Sequence, residues 1–162
     1  MADRTEASLT ISAPSARIMA VIADVAAYPK WASGVTSGTV VESGPDARPS
    51  RARFEVASGL VTGTYTVDYT WQGDHDVSWT LVESSILREL DGSYALRPAT
   101  PPQGIGHDGA AASATEVTYR LTLVPTIPLI GPLRRRAEQH LVNAAMQDLR
   151  RQVDELSEGS PA

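Results

Sequence analysis

The stretch Val61-Thr62-Gly63-Thr64-Tyr65-Thr66-Val67-Asp68-Tyr69-Thr70-Trp71 decides the fold. Val61, Tyr65, Val67, Tyr69 and Trp71 fall on one side of a period of two, and Thr62, Thr64, Thr66, Asp68 and Thr70 on the other. Alternation this clean belongs to a β-strand with one buried and one wet face, as in antiparallel sheets. The flanking segments answer it. Upstream, residues 51–57 read as a second strand, and Gly59-Leu60 fits a two-residue turn with Gly at its first central position. That register pairs Phe54 with Tyr65 and Val56 with Gly63. Downstream, Gln72 to Asp76 turn the chain, and Val77 to Glu83 return with Val77, Trp79 and Leu81 opposite Trp71, Tyr69 and Val67. Both sets are apolar, so one register satisfies the hairpin.

Working outward, Ala7, Leu9 and Ile11 alternate in an opening strand over 7–12. Pro14 suits the first turn of a helix over 14–24, carrying Ile18, Val21 and Ile22. Pro29 disfavours helix at the residue before it, so a short second helix or turn carries Tyr28 and Trp31. Residues 39–42 read as a strand, 42–50 as a loop, and 86–97 as a strand after a Ser84-Ser85 turn. In that strand Ile86, Arg88, Leu90, Tyr94 and Leu96 share one face. The span 98–114 holds three Pro and three Gly and reads as a long exposed loop. Val117, Tyr119, Leu121 and Leu123 mark a last strand. A helix over 131–156 follows, with Leu133, Ala137, Leu141, Ala144, Ala145, Leu149, Val153 and Leu156 as its apolar stripe; the tail 157–162 is polar and frayed. The order predicts one α+β domain spanning 1–162, a strongly curved antiparallel sheet gripping a long C-terminal helix.

Composition narrows the chemistry. The chain has 162 residues, no cysteine, a net charge of −5 and only nine aromatic rings: three Trp, five Tyr and one Phe. An acidic chain lacks the basic footprint of sequence-independent nucleic-acid binding. The absent thiols remove disulfides, thiolate metal sites and a thiol nucleophile. His75, His107 and His140 share no metal-ligand spacing, so no metal and no cofactor is expected. No apolar run approaches the roughly 20 residues of a membrane span, and the first residues carry no signal core. A cytoplasmic protein is expected. Thirteen Arg against one Lys, with abundant Ala, fit a GC-rich bacterial coding sequence.

Several segments carry a family likeness. The opening strand runs into Ala13-Pro14, the first helix ends Ala23-Asp24-Val25, and Tyr28-Pro29-Lys30-Trp31 follows. Trp79 to Glu83 with Ser84-Ser85, Leu90-Asp91-Gly92-Ser93-Tyr94, Thr115 to Tyr119 and Leu133 to Glu138 complete the set. Together, over roughly residues 5–156, the chain resembles the START/Bet v 1-like (SRPBCC) helix-grip superfamily, most closely its polyketide cyclase, dehydrase and lipid transport branch. The resemblance implies a cavity between sheet and C-terminal helix that takes an apolar or amphipathic molecule such as a lipid, quinone or polyketide. Two rival readings stand beside it. One is a cofactor-independent cyclase, aromatase or dehydratase; the other is a ligand-free interaction module using 98–114 or 125–132. No segment is a catalytic signature.

The candidate ligand-binding residues are Trp31, Phe54, Tyr65, Val67, Tyr69, Trp79, Leu81, Arg88, Tyr94, Tyr119, Leu133, Ala137, His140 and Leu141. Inward aromatics also make ordinary core, but a buried phenol needs a hydrogen-bond partner and can offer its hydroxyl to a ligand. Arg88, Tyr65 and Tyr69 are the candidates for any catalysis. An inward Arg88 would need a partner, with Glu83 in reach, and would bind a carboxylate or polarise a carbonyl. A one-residue slip would turn it outward. His140 borders the helix stripe, where an imidazole would suit acid/base work. Arg134-Arg135-Arg136 beside Ile127-Pro128-Leu129-Ile130 would allow transient contact with an anionic membrane surface.

Overall fold

The computed structural model describes residues 5–58, 61–99, 114–126 and 131–159. Strands β1 (Thr5–Ile11), β2 (Val35–Ser43), β3 (Pro49–Ser58), β4 (Val61–Gln72), β5 (Asp76–Ser84), β6 (Leu87–Pro98) and β7 (Thr115–Pro125) form one antiparallel sheet in the order β1-β7-β6-β5-β4-β3-β2. Helices α1 (Ser15–Ala23) and α2 (Tyr28–Trp31) lie between β1 and β2, and α3 (Gly131–Gly159) closes the chain. The fold is the expected α+β helix grip. The turn at 59–60 and most of the 98–114 loop lie outside the described residues, as do 127–130, His107 and 160–162.

The central hairpins carry the expected register. Phe54 faces Tyr65 and Val56 faces Gly63; Val67, Tyr69 and Trp71 face Leu81, Trp79 and Val77. Ladder irregularities fall in β2–β3, at Thr66/Val67 and between Leu87 and Glu89. Extra residues of this kind bend and twist a sheet, which curls it around a helix. β2 is longer than the 39–42 segment, starting at Val35. Gly38 permits this: a Cβ there would lie 2.3 Å from the carbonyl oxygen of Val25, so the 3-10 turn Val25–Ala27 packs directly on β2.

The irregularity in β6 corrects the reading of Arg88. Leu87 is half-buried and Leu90 buried, three residues apart on a strand whose period is two. The step between Leu87 and Glu89 lets both leucines face the core and puts Arg88 and Glu89 in solvent. Arg88 therefore does not point inward, and it makes no pair with Glu83, which is also exposed.

The inward stripe of α3 is also rotated from the expected one. Glu138, Val142, Met146, Leu149 and Val153 are buried, whereas Leu141 is 45% and Leu156 49% exposed. His140 is exposed and Ala137 half-buried; the side chain of Leu133 lies outside the described residues. Counting back from Leu149 by fours passes through Ala145, Leu141 and Ala137 to Leu133, an apolar row throughout. The structure takes the neighbouring row because its charged member has partners. Glu138, 1% exposed, accepts a hydrogen bond from the Thr5 hydroxyl (3.2 Å) and another from the Leu123 backbone N–H (3.0 Å). Asp148, 6% exposed, does the same lower down, accepting from the Ser33 N–H (2.9 Å) and from Arg151 (3.2 Å). Arg151 also donates to the Trp31 carbonyl (3.1 Å), so one carboxylate and one guanidinium tie α2 to α3.

Candidate functional site

Every aromatic ring of the chain touches another, in two strings. Trp31 meets Tyr28 at 4.7 Å between centroids, Tyr28 meets Phe54 at 5.3 Å, and Phe54 stacks on Tyr65 at 5.2 Å. Trp71 stacks on Tyr69 at 5.2 Å, Tyr69 meets Trp79 at 6.2 Å, and Trp79 contacts Tyr94 and Tyr119, which lie 4.7 Å apart. Strand alternation aims β4, β5, β6 and β7 rings at one side of the sheet, and the α2 pair closes over the β3 end. Gly92 matters here: a Cβ on it would lie 2.3 Å from the Trp79 indole, so the ring lies flat on β6 only because no side chain is there.

The phenols of these rings are shifted by burial and by one another. Burial pushes the Tyr65 phenol up to about 12. Tyr28, Tyr69, Tyr94 and Tyr119 are raised further, first by burial and then by one another's phenols. That mutual effect joins the two strings around one region. All five phenols are protonated across ordinary pH and therefore able to donate.

Among the described residues, only one of the five uses its donor within the protein. Tyr28 donates to the Ile22 carbonyl at 2.6 Å, pinning α2 to the end of α1. Among the described residues no hydrogen bond joins the hydroxyls of Tyr65, Tyr69, Tyr94 or Tyr119, nor the Trp79 indole N–H. None of these atoms is sealed off either, because among the described residues the single buried side-chain polar atom without a partner is Trp31 Nε1. Tyr65, Tyr69, Trp79, Leu81 and Tyr119 are only half-buried, although desolvation acts strongly on the three phenols among them. Interior rings that keep accessible surface and free polar tips border open space. α3 packs against β1, β7, α1 and α2, which leaves the β4–β5 stretch of the inward face less covered.

Of the expected residues, the structure brings Trp31, Phe54, Tyr65, Val67, Tyr69, Trp79, Leu81, Tyr94 and Tyr119 together on this face, with Ala137 half-buried on α3. Arg88, His140 and Leu141 are exposed and stand apart. Tyr28 and Trp71 join the rings although neither is among the expected ligand-binding residues; the ring count pointed to both, but their place outside or at the end of the central alternation hid them. A depression of about 800 Å³ lies elsewhere, between Pro14-Ser15, His75-Asp76 and the 96–99 and 114–115 ends of β6 and β7. It holds none of the free ring hydroxyls. No described helix is long and apolar enough to cross a membrane.

The chain matches the family described as polyketide cyclase/dehydrase and lipid transport over residues 11–150. Its fold is shared with a START superfamily protein from Mycobacterium smegmatis (TM-score 0.79, 16% identity, 94% of this chain and 98% of that one). Similar too are the Zhui aromatase/cyclase from Streptomyces sp. R1128 (TM-score 0.72, 16% identity, 99% and 100% covered) and a protein from Thermus thermophilus (TM-score 0.72, 21% identity, 98% and 100% covered). No protein of curated function matches the sequence.

Proposed function

The chain belongs to the polyketide cyclase/dehydrase and lipid transport family, and from that premise we propose that it binds a hydrophobic or amphipathic small molecule between the inward face of its sheet and α3. The observation that carries this reading is the set of unpartnered phenols, Tyr65, Tyr69, Tyr94 and Tyr119, on a wall otherwise made of Phe54, Val67, Trp79 and Leu81. Apolar rings supply contact area, and a few convergent polar groups fix orientation. The donors are neutral, and the side chains of this wall include no Lys, Arg or His. A neutral ligand with oxygen acceptors, of the quinone or polyketide kind, fits better than one headed by a carboxylate. Mass spectrometry of gently purified protein, with displacement of a fluorescent apolar dye, tests the reading. A co-purifying apolar molecule and dye displacement weakened by Tyr65→Phe and Tyr69→Phe are expected. Absence of any bound molecule together with no dye uptake would overturn it.

The same donors favour a second reading, cyclase or dehydratase chemistry. A phenol raised to about 12 or beyond is a poor proton donor at neutral pH but a good hydrogen-bond donor. It would hold a ketide carbonyl and the enolate formed from it rather than transfer a proton outright. This reading requires turnover of a poly-β-keto thioester that falls in the same Tyr→Phe variants, and binding without turnover counts against it.

A further inference from the structure

The ladder between β5 and β6 stops short of its turn. Only Ser85 and Ile86 connect the two strands, yet their backbones pair from Asp76↔Ala95 to Thr80↔Asp91 and no further. Continued at that register, the ladder would set Leu81 opposite Leu90, Val82 opposite Glu89 and Ser84 opposite Leu87. These rungs are not made. Each strand stays with its outer neighbour instead. β5 pairs with β4 as far as Ser84, opposite Tyr65, and β6 pairs with β7 as far as Leu87, opposite Pro125. The sheet therefore parts between residues 81–84 and 87–90.

The turn is held in this state from both sides. Ser84 Oγ donates to the Thr64 carbonyl (2.7 Å), and the Ser85 N–H bonds the same oxygen (3.0 Å). Thr64 returns its own N–H to Ser85 Oγ (3.0 Å). On the far side the N–H and the hydroxyl of Thr126 both donate to the Ile86 carbonyl (2.9 and 3.2 Å). Ser84 Oγ also accepts the N–H groups of Ile86 (3.0 Å) and Leu87 (2.9 Å), so a side chain takes the place of backbone pairing at the turn. Gly63 leaves room for Ile86 to lie over β4, where a Cβ would strike its side chain. Backbone groups in a sheet are ordinarily paired, because an unmade rung forfeits its hydrogen bonds. Here the ends of an unzipped hairpin are tied back to β4 and β7.

The parting borders the ring-lined face. Leu90 is buried, and Tyr65, Trp79, Leu81 and Leu87 pack half-buried against its cluster, while Val82 stands 42% exposed on the same stretch of β5. An apolar molecule passing between laddered strands must break their backbone hydrogen bonds, which leaves polar groups unmet against an apolar surface. Between 81–84 and 87–90 no ladder bond stands in the way. We infer that the ligand enters and leaves through the sheet at this parting, between β5 and β6 and beside Tyr65. This rests on the binding reading above and adds the route to it.

The chain has no cysteine, so paired thiols can be placed cleanly. Val82→Cys with Glu89→Cys puts one thiol on each side of the parting, and their disulfide draws the strands together. Ser78→Cys with Ser93→Cys bridges the same strands where they are already paired. The measurement is the rate of Nile red entry into, and release from, the full chain by stopped-flow fluorescence. Oxidising the 82/89 pair should slow both rates about tenfold or more, leave the equilibrium affinity within about twofold, and be undone by reduction, because a portal sets rates rather than equilibria. The 78/93 bridge should change either rate less than about twofold. Unchanged rates with the 82/89 bridge closed would overturn the inference and put entry round the rim of α3. Equal slowing by both bridges would overturn it too, as the mark of general stiffening. If the 82/89 thiols do not join, a bulky maleimide on both must slow the dye in their place, and unaltered rates then overturn it. No uptake of Nile red by the unaltered chain is a separate outcome: the binding reading then falls, and the route with it.

Discussion

Three single positions show how narrowly side chains are accommodated here. An alanine at Gly92 would put its Cβ within 2.3–2.6 Å of Trp79 Cε2, Cζ2 and Nε1. Overpacking of that kind costs about 1–3 kcal/mol. Gly92→Ala should lower the urea midpoint accordingly and shift the Trp79 emission, because the indole must lift from β6; an unchanged midpoint and spectrum would contradict the contact. At Glu138 the issue is chemistry rather than volume. Glu138→Ala removes the acceptor of the part-buried Leu123 N–H, at about 1–3 kcal/mol. Glu138→Gln keeps an acceptor in the same position and should recover most of that loss in the same unfolding experiment. Arg88 is the contrast. It stands in solvent beyond the β6 irregularity, so Arg88→Ala should change stability by no more than about 0.5 kcal/mol and leave dye binding as it was.

The tie between α2 and α3 is the weak point among the elements. α2 is a single turn, too short to hold itself, and it carries both Tyr28 and Trp31. Asp148 on α3 accepts the Ser33 N–H just past its end, and Arg151 grips its carbonyl. Asp148→Ala should destabilise the chain by about 1–3 kcal/mol. Its mark should be local: the Ser33 amide should lose protection from hydrogen exchange while amides of β4 and β5 keep theirs. Equal loss throughout the sheet would mean that the contact serves global stability instead. These elements also show what a sequence can and cannot reveal. The β3–β4–β5 register was legible because Phe54, Tyr65, Tyr69, Trp79 and their neighbours are large, apolar and strictly alternating, and one slip would expose them all. The β6 irregularity was not, because alternation counting assumes no extra residue and therefore carried Arg88 inward. The α3 face was misread for a related reason. Its true row begins with Glu138 and includes Asp148, and a charge looks like surface until its partners are known. Those partners lie 133 residues away at Thr5 and 115 away at Ser33, a distance that no local pattern reports.

At the scale of the whole molecule, the rings make one connected interior, and its state of charge is linked to folding. A phenol raised in the native protein is protonated in both states below about pH 10, its ordinary value. Above that the unfolded chain loses its protons first. The unfolded state then binds fewer protons than the native one, so stability falls as pH rises. For Tyr65 the fall runs from the ordinary phenol value to about 12, and for Tyr28, Tyr69, Tyr94 and Tyr119 it continues higher. Stability should thus be flat through neutral and mildly alkaline pH and drop steeply beyond about pH 10, with the five phenolates appearing in the ultraviolet difference spectrum in one step with unfolding. Removing a phenol removes its share, so Tyr65→Phe should make the drop shallower. A ligand whose oxygens accept from these hydroxyls in the native state alone favours their protonated form, and it should move the onset to higher pH. Phenolates that form near pH 10 with the fold intact would show the rings open to water, and an enclosed aromatic wall for an apolar ligand would no longer be tenable.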